Sequence, residues 1–148
     1  MLVTIDELSK TSLYREIVET ITRGDSESAE LHILSAESLV RSYMSKYGCN
    51  AIFGTADAPP TYTGASVELI KKVVKIIASY YLARMANPNI DIELLRLDYQ
   101  DALKWLQELQ KGDVNPDLPY LPDNPNTPED ASASDVSWHS NFKRQNHF

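Results

Sequence analysis

The stretch that decides the fold is residues 66–85, SVELIKKVVKIIASYYLARM. Apolar residues recur in it at helical spacing, and further apolar residues widen that stripe around the cylinder. A narrow polar strip remains, formed by Lys71, Lys75 and Ser79. A helix that is apolar on nearly every side needs several neighbours, so we expect this one at the centre of a helical bundle.

The segments on either side of this helix supply such neighbours. Upstream, apolar residues recur every three or four positions from about residue 25 to Tyr47. Downstream, the same repeat runs over about residues 90–111. Pro88 separates that repeat from the central helix, and Gly112 allows a left-handed end. The sequence therefore predicts one long amphipathic helix on each side.

Two shorter helical pieces precede these elements. Thr4 and Glu7 have the spacing of a capping box, in which each side chain accepts from the other residue's backbone, and this predicts a first helix over about 4–10. A second piece starts near residue 11 or 12 and ends at Gly24. We interpret the two pieces as a helical lead-in.

Residues 48–64 lose the helical repeat and collect glycine, proline and asparagine, which predicts a long loop. Long loops in compact bundles are commonly functional. Ile52, Phe53 and Tyr62 lie within this one, and we expect them at a contact with another protein.

The composition changes abruptly after Gly112. Five of the eight prolines fall within 116–128, and Asp, Asn, Ser and Thr dominate, so no core is expected there. The last residues become aromatic and basic, which favours a docking peptide. Its candidate contact residues are Trp138, Phe142, Lys143, Arg144 and Phe148.

Together these patterns predict an all-α fold. We expect a small bundle of about four helices, the first of them short, followed by a long extended C-terminal tail. The predicted helical domain covers residues 1–112, and the proline-rich tail covers 113–148.

Composition and charge exclude several classes of protein. A chain of 148 residues with 43% apolar content can bury one ordinary core, and its net charge of −7 opposes general binding to nucleic acid. The single Cys49 cannot form an internal disulfide, and the first residues lack a secretory signal, so synthesis in a reducing cytosol is expected. No apolar run reaches the roughly 18 residues that a membrane helix needs.

The sequence offers no set of residues for catalysis, metal binding or cofactor binding. Its three histidines lack the spacing of a helical zinc site, and neither a GxGxxG nor a Walker phosphate loop occurs. Cys49 follows the predicted end of a helix, where the helix dipole would raise its thiol pKa. We therefore predict a protein that is not an enzyme and needs no cofactor.

Four stretches resemble the small helical head–tail connector, or head-completion, proteins of tailed bacteriophages, especially the Mu-like connector family. Members of that family show a Met-x-x-Thr-x-x-x-Leu start, a helix with two tyrosines near its end, an Ile/Tyr-rich helix and a closing Tyr-x-x-Ala-x-x-x-Leu helix. The matching stretches here are 1–8 (MLVTIDEL), 36–47 (AESLVRSYMSKY), 73–83 (VVKIIASYYLA) and 99–106 (YQDALKWL).

This resemblance implies a structural virion protein at the head–tail interface, made in the cytoplasm of a bacterial host. Such a protein forms a homo-oligomeric ring of about twelve copies beneath the portal protein, through unlike faces of neighbouring subunits. The ring would extend the DNA channel without sequence-specific binding and would offer a surface to stopper or tail proteins. Ile52, Phe53 and Tyr62 would then contact a neighbouring subunit or the portal, and residues 137–148 would anchor another virion protein.

A second interpretation, from a different class, is a cellular helical adaptor or regulator that binds a partner through the same aromatic tail. It predicts a monomer or dimer with a defined partner and no association with particles.

Overall fold

The structure is a computed structural model, and it describes residues 2–11, 15–85 and 92–121. Within these ranges the chain forms six α-helices. They are α1 (Ile5–Thr11), α2 (Arg15–Thr22), α3 (Ser26–Tyr43), α4 (Cys49–Phe53), α5 (Ser66–Met85) and α6 (Ile92–Lys111). The predicted all-α class is confirmed, while the predicted tail from residue 122 onward lies outside the described residues.

Helix α5 occupies the centre of the bundle, as its apolar pattern predicts. It packs most extensively against α3 and α6, and α1 and α2 also contact it. Nine of its twenty residues are buried, among them Ile70, Ile77 and Leu82 with no exposed area. Since burying one such side chain contributes roughly 1.5–3 kcal/mol, these residues make α5 the main source of the hydrophobic stabilisation.

The polar strip predicted along α5 is shorter than expected. Ser79 is fully buried, so the prediction of a polar surface at this position is wrong. Lys71 lies at the surface, as predicted. Its Nζ is 3.3 Å from a carboxylate oxygen of Glu7 on α1 and 3.3 Å from one of Glu68 on α5. Burial alone would lower the pKa of Lys71, but hydrogen bonds and charge attraction to these two carboxylates raise it.

The predicted helix ends are confirmed at several positions. The backbone nitrogen of Thr4 donates to Glu7 Oε2 at 3.2 Å, and Glu7 N donates to Thr4 Oγ1 at 3.3 Å, which is the capping box. Asp25 accepts from Glu27 N at the start of α3. Gly112 has φ +90°, and the amide of Asp113 donates to Glu108 O at 2.9 Å, which closes α6 as a Schellman motif.

Helix α2 ends in the same motif, with two left-handed residues in succession. Gly24 has φ +78°, which confirms the predicted left-handed end there. Arg23 before it has φ +55°, and its amide donates to Thr20 O, while Gly24 N donates to Glu19 O at 3.0 Å. The left-handed conformation is costly for Arg23, because this residue has a Cβ.

Replacing Arg23 with glycine relieves that strain. We expect Arg23→Gly to raise the free energy of unfolding by roughly 0.5–1 kcal/mol, because the lost strain exceeds the added freedom of the unfolded chain. Chemical denaturation would measure the change. Arg23→Ala keeps the Cβ and removes the guanidinium, so it should change stability little; a gain in that variant would assign the effect to charge instead.

A buried carboxylate fixes the start of the described chain. Glu37 on α3 is 3% exposed and accepts from the amides of Leu2 and Val3, the latter at 3.1 Å. These bonds hold the N-terminal residues over the core, where Leu2 and Val3 are buried. Nothing in the periodicity of α3 distinguishes Glu37 from its exposed glutamates, so sequence reasoning missed this role.

Substitution of Glu37 should loosen this end of the bundle. We expect Glu37→Ala to lower the free energy of unfolding by about 2–3 kcal/mol, because buried N–H groups lose their acceptor. Glu37→Gln keeps an oxygen acceptor and should lose less than half as much. Equal losses in urea denaturation of the two variants would contradict this account.

The segment predicted as one long loop, 48–64, contains the short helix α4, so that prediction is wrong in part. A single helical turn shows no repeat, which is why the sequence does not reveal it. Gly54 ends the turn with φ +77°, and a Cβ there would lie 2.7 Å from Ala58 O. The chain then folds back, and the amides of Thr61 and Tyr62 both donate to Ala51 O at 2.9 and 3.0 Å.

Candidate protein interface

Residues 114–121, which we term the strap, cross the corner between α3 and α4. Gly48 N donates to Pro119 O at 2.7 Å, and Leu121 N donates to Lys46 O at 3.1 Å. The strap contributes Leu118, which is 4% exposed, to the hydrophobic core. The strap therefore packs with the bundle, although it lies beyond residue 112, where the sequence placed the start of the tail.

Tyr47 and Tyr62 contact the strap and hold it in position. The rings of Tyr47 and Tyr120 stack with their centroids 5.0 Å apart, and burial together with the neighbouring Tyr120 hydroxyl raises the pKa of Tyr47. From the turn after α4, the hydroxyl of Tyr62 donates to Asp117 O at 2.8 Å. These contacts give the chain a fixed position at Leu121, the last residue that the structure describes.

The structure separates the three residues that the sequence placed together at an interface. Ile52 and Phe53 have no exposed area, because the turn of α4 directs both side chains into the core. Their side chains offer no surface to a neighbouring subunit or a portal, which corrects the expectation for them. Tyr62 does make a docking contact, but with the chain's own strap.

The other predicted interface residues lie outside the described residues. They are Trp138, Phe142, Lys143, Arg144 and Phe148.

Exposed leucines on α3 were not singled out from the sequence. Leu31 is 58% exposed and Leu34 is 46% exposed, and with Glu27 and Ser38 they follow one face of the helix at intervals of four, three and four residues. We call these four residues the α3 stripe. A search for apolar residues on the polar side of each amphipathic helix would have found them.

Helix α6 also carries a pair of exposed leucines. Leu94 is 58% exposed and Leu97 is 49% exposed, three residues apart on the side away from the core. We call this pair the α6 stripe. Its immediate surroundings are of mixed charge, because Arg96 pairs with Glu93 beside it. Exposed apolar groups of this kind are typical of surfaces that bind other proteins.

A cleft of about 490 Å³ continues the α3 stripe towards α4. Leu34 and Ser38 line it on α3, and Asn50 and Phe53 line it on α4. Arg41 forms part of its wall, donating to Gly54 O at 2.9 Å with its guanidinium 4.7 Å from the centre of the Phe53 ring. These contacts hold the Arg41 side chain in place, so the wall of the cleft is well defined.

The remaining polar groups include the thiol of Cys49 and a cleft that is lined by lysines. Cys49 is the first residue of α4, not the follower of a helix end as the sequence suggested; burial raises the pKa of its thiol, which donates to Met44 O. Across the described ranges, no three His, Cys, Asp or Glu residues are grouped so that they could hold a metal ion. Lys72 and Lys75 line a cleft of about 510 Å³ between α5 and α6.

Comparison of the chain with protein-family models, with curated proteins and with solved structures finds no match in any of the three. Among the described helices, none is both long enough and apolar enough to cross a membrane.

Removing one hydroxyl should loosen the strap. We expect Tyr62→Phe to leave Asp117 O without its partner, to cost about 1 kcal/mol and to speed hydrogen exchange at the Gly48 and Leu121 amides. Exchange followed by mass spectrometry would measure this. Tyr43→Phe, on α3, is the matched control and should leave both amides unchanged; unchanged exchange in Tyr62→Phe as well would refute this role of Tyr62.

Proposed function

We propose that this chain is a structural virion protein of a tailed bacteriophage. In this proposal it is a head–tail connector that forms a ring beneath the portal, extends the DNA channel and joins the head to stopper or tail proteins. The proposal rests on the order of the connector-like stretches along the sequence and on the all-α bundle in which they lie.

The observation that carries the proposal is the strap. Because Tyr47, Gly48 and Tyr62 fix residues 114–121 on the bundle, the remaining 122–148 leave from a defined point at Leu121. A joining protein needs a body that packs with its neighbours and a peptide that reaches a further partner. Aromatic side chains such as Trp138 and Phe142 are the usual energetic centres of such contacts.

The exposed surface of the bundle supports the same proposal. A ring is built by contacts between unlike faces, so each copy must present two different surfaces. The α3 and α6 stripes are apolar surfaces on the two helices that flank α5. The net charge of −7 suits a channel through which DNA passes without being held, since a negative wall does not bind phosphates.

Truncation after Asn124 tests the role of the tail while keeping the strap intact. We expect the truncated chain to fold with normal stability but to be lost from purified particles, because removing the aromatic contacts costs roughly 2 kcal/mol or more at each such residue. Copy number per particle would be measured by quantitative mass spectrometry.

The matched control keeps the length of the tail. A full chain with Trp138→Ala, Phe142→Ala and Phe148→Ala should lose occupancy as the truncation does. Normal occupancy of the truncated chain would show that the tail is not the anchor.

A cellular adaptor that binds one partner through the same tail is the second candidate, and the fixed exit at Leu121 would serve it equally. Cross-linking mass spectrometry on particles separates the two. Links from Lys143 to another virion protein, at a copy number close to that of the portal, favour the connector, whereas absence from intact particles favours the adaptor.

A further inference from the structure

The α3 stripe combines an apolar centre with an acidic end. Leu31 and Leu34 supply the apolar area, and Glu27 and Glu30 are exposed on the same side of the helix. Glu30 also lines a cleft of about 510 Å³ that α3 shares with residues of α1 and α2. A ligand for this face must therefore be apolar and positively charged.

The one Lys or Arg residue within α3 lies away from this acidic end. Arg41 is at the opposite end of the α3 stripe, where its guanidinium donates to Gly54 O and covers the Phe53 ring. The α6 stripe differs in this respect, because Arg96 and Lys104 are exposed on its helix together with Glu93, Asp98 and Asp101, so its charge is mixed. A basic ligand meets less consistent attraction there than at Glu27 and Glu30.

The chain contains one segment with the required chemistry. Residues 137–148, SWHSNFKRQNHF, include no Asp or Glu and carry Lys143 and Arg144 directly after Phe142. Trp138 and Phe142 supply the apolar part of such a ligand. Aromatic and arginine side chains are enriched in the centres of protein interfaces.

The position of the strap brings this segment within reach of the α3 stripe. The backbone of the strap is hydrogen-bonded to Lys46 and to Gly48, which directly precede α4. The cleft that continues the α3 stripe is lined by Asn50 and Phe53 of α4. Both sites therefore border α4.

The chain between the strap and this segment is long enough for the segment to reach the α3 stripe. Residues 122–136 can span up to about 50 Å when extended. The distance along α3 from Leu31 to Tyr43 is only about 18 Å. A short tether raises the effective concentration of the attached peptide to roughly the millimolar range, so even weak docking would be populated.

We propose that the α3 stripe, with its acidic end and adjoining cleft, is the docking site for residues 137–148 of the same molecule. The aromatic side chains cover Leu31 and Leu34, and Lys143 and Arg144 face Glu27 and Glu30. Under the connector role proposed above, this contact is the resting position of the tail before a partner takes it, but the contact itself does not depend on that role.

Zero-length cross-linking of the full chain tests the proposal directly. A carbodiimide joins an amine to a carboxylate without a spacer, so we expect links from Lys143 to Glu27 or Glu30. Mixing ¹⁴N- and ¹⁵N-labelled chains before cross-linking distinguishes links within one molecule from links between copies. Links within one molecule are expected, and mixed-isotope links would overturn the proposal in favour of a second copy.

Substitutions on α3 and α6 identify the surface on which residues 137–148 dock. Leu34→Ser should lower the yield of these links by on the order of tenfold, the effect of losing one well-packed contact, and Phe142→Ala, which keeps Lys143, should do the same. Leu97→Ser on the α6 stripe is the matched control and should leave the yield unchanged. Circular dichroism melts would verify that each variant folds.

The contrary outcomes are equally clear. Links from Lys143 to Glu93, Asp98 or Asp101, or a loss of links in Leu97→Ser but not in Leu34→Ser, would place the tail on α6 and overturn the proposal. Absence of any link to α3 would also overturn it. Because the measurement uses the isolated chain, a positive result would stand even if the protein were absent from virions.

Discussion

Every other element of the bundle is arranged around the need to cover α5. A helix that buries residues on most of its circumference needs more than one neighbouring helix. Here α3 and α6 make the most extensive contacts with α5, and α1 and α2 make smaller ones. The ion pairs of Lys71 with Glu7 and Glu68 occupy the side of α5 that remains polar. Exposed ion pairs of this kind contribute little to the free energy of folding. Their main effect is therefore to orient α1 on the bundle.

Regular helices and their ends were predictable, because apolar spacing and capping chemistry are local properties of the sequence. The capping box of Thr4 and Glu7 and the left-handed end at Gly112 are confirmed in detail. Helix α4 was not predictable, since one turn carries no period, and neither was Glu37, whose role depends on backbone amides 34 and 35 residues away. Such long-range polar contacts leave no pattern in the surrounding residues.

The candidate interface was predicted less well than the fold. Hydrophobic residues in a segment rich in turn-forming residues suggested an exposed docking surface, yet Ile52 and Phe53 are interior because the segment folds over α4. The strap escaped prediction because prolines indicated an extended tail, although an extended chain can still bury one leucine, here Leu118. The exposed leucines of α3 and α6 lie outside the apolar repeats that mark the buried faces, so those repeats did not indicate the two stripes.

The hydrogen bond from Tyr62 to Asp117 joins residues 55 positions apart, and this separation has a consequence for biosynthesis. At translation rates of about 5–20 residues per second, the ribosome adds Asp117 roughly 3 to 11 s after Tyr62. Helices form in microseconds or less. The corner around Gly48 therefore spends seconds on the ribosome without its cover, and chaperones can bind it during that time.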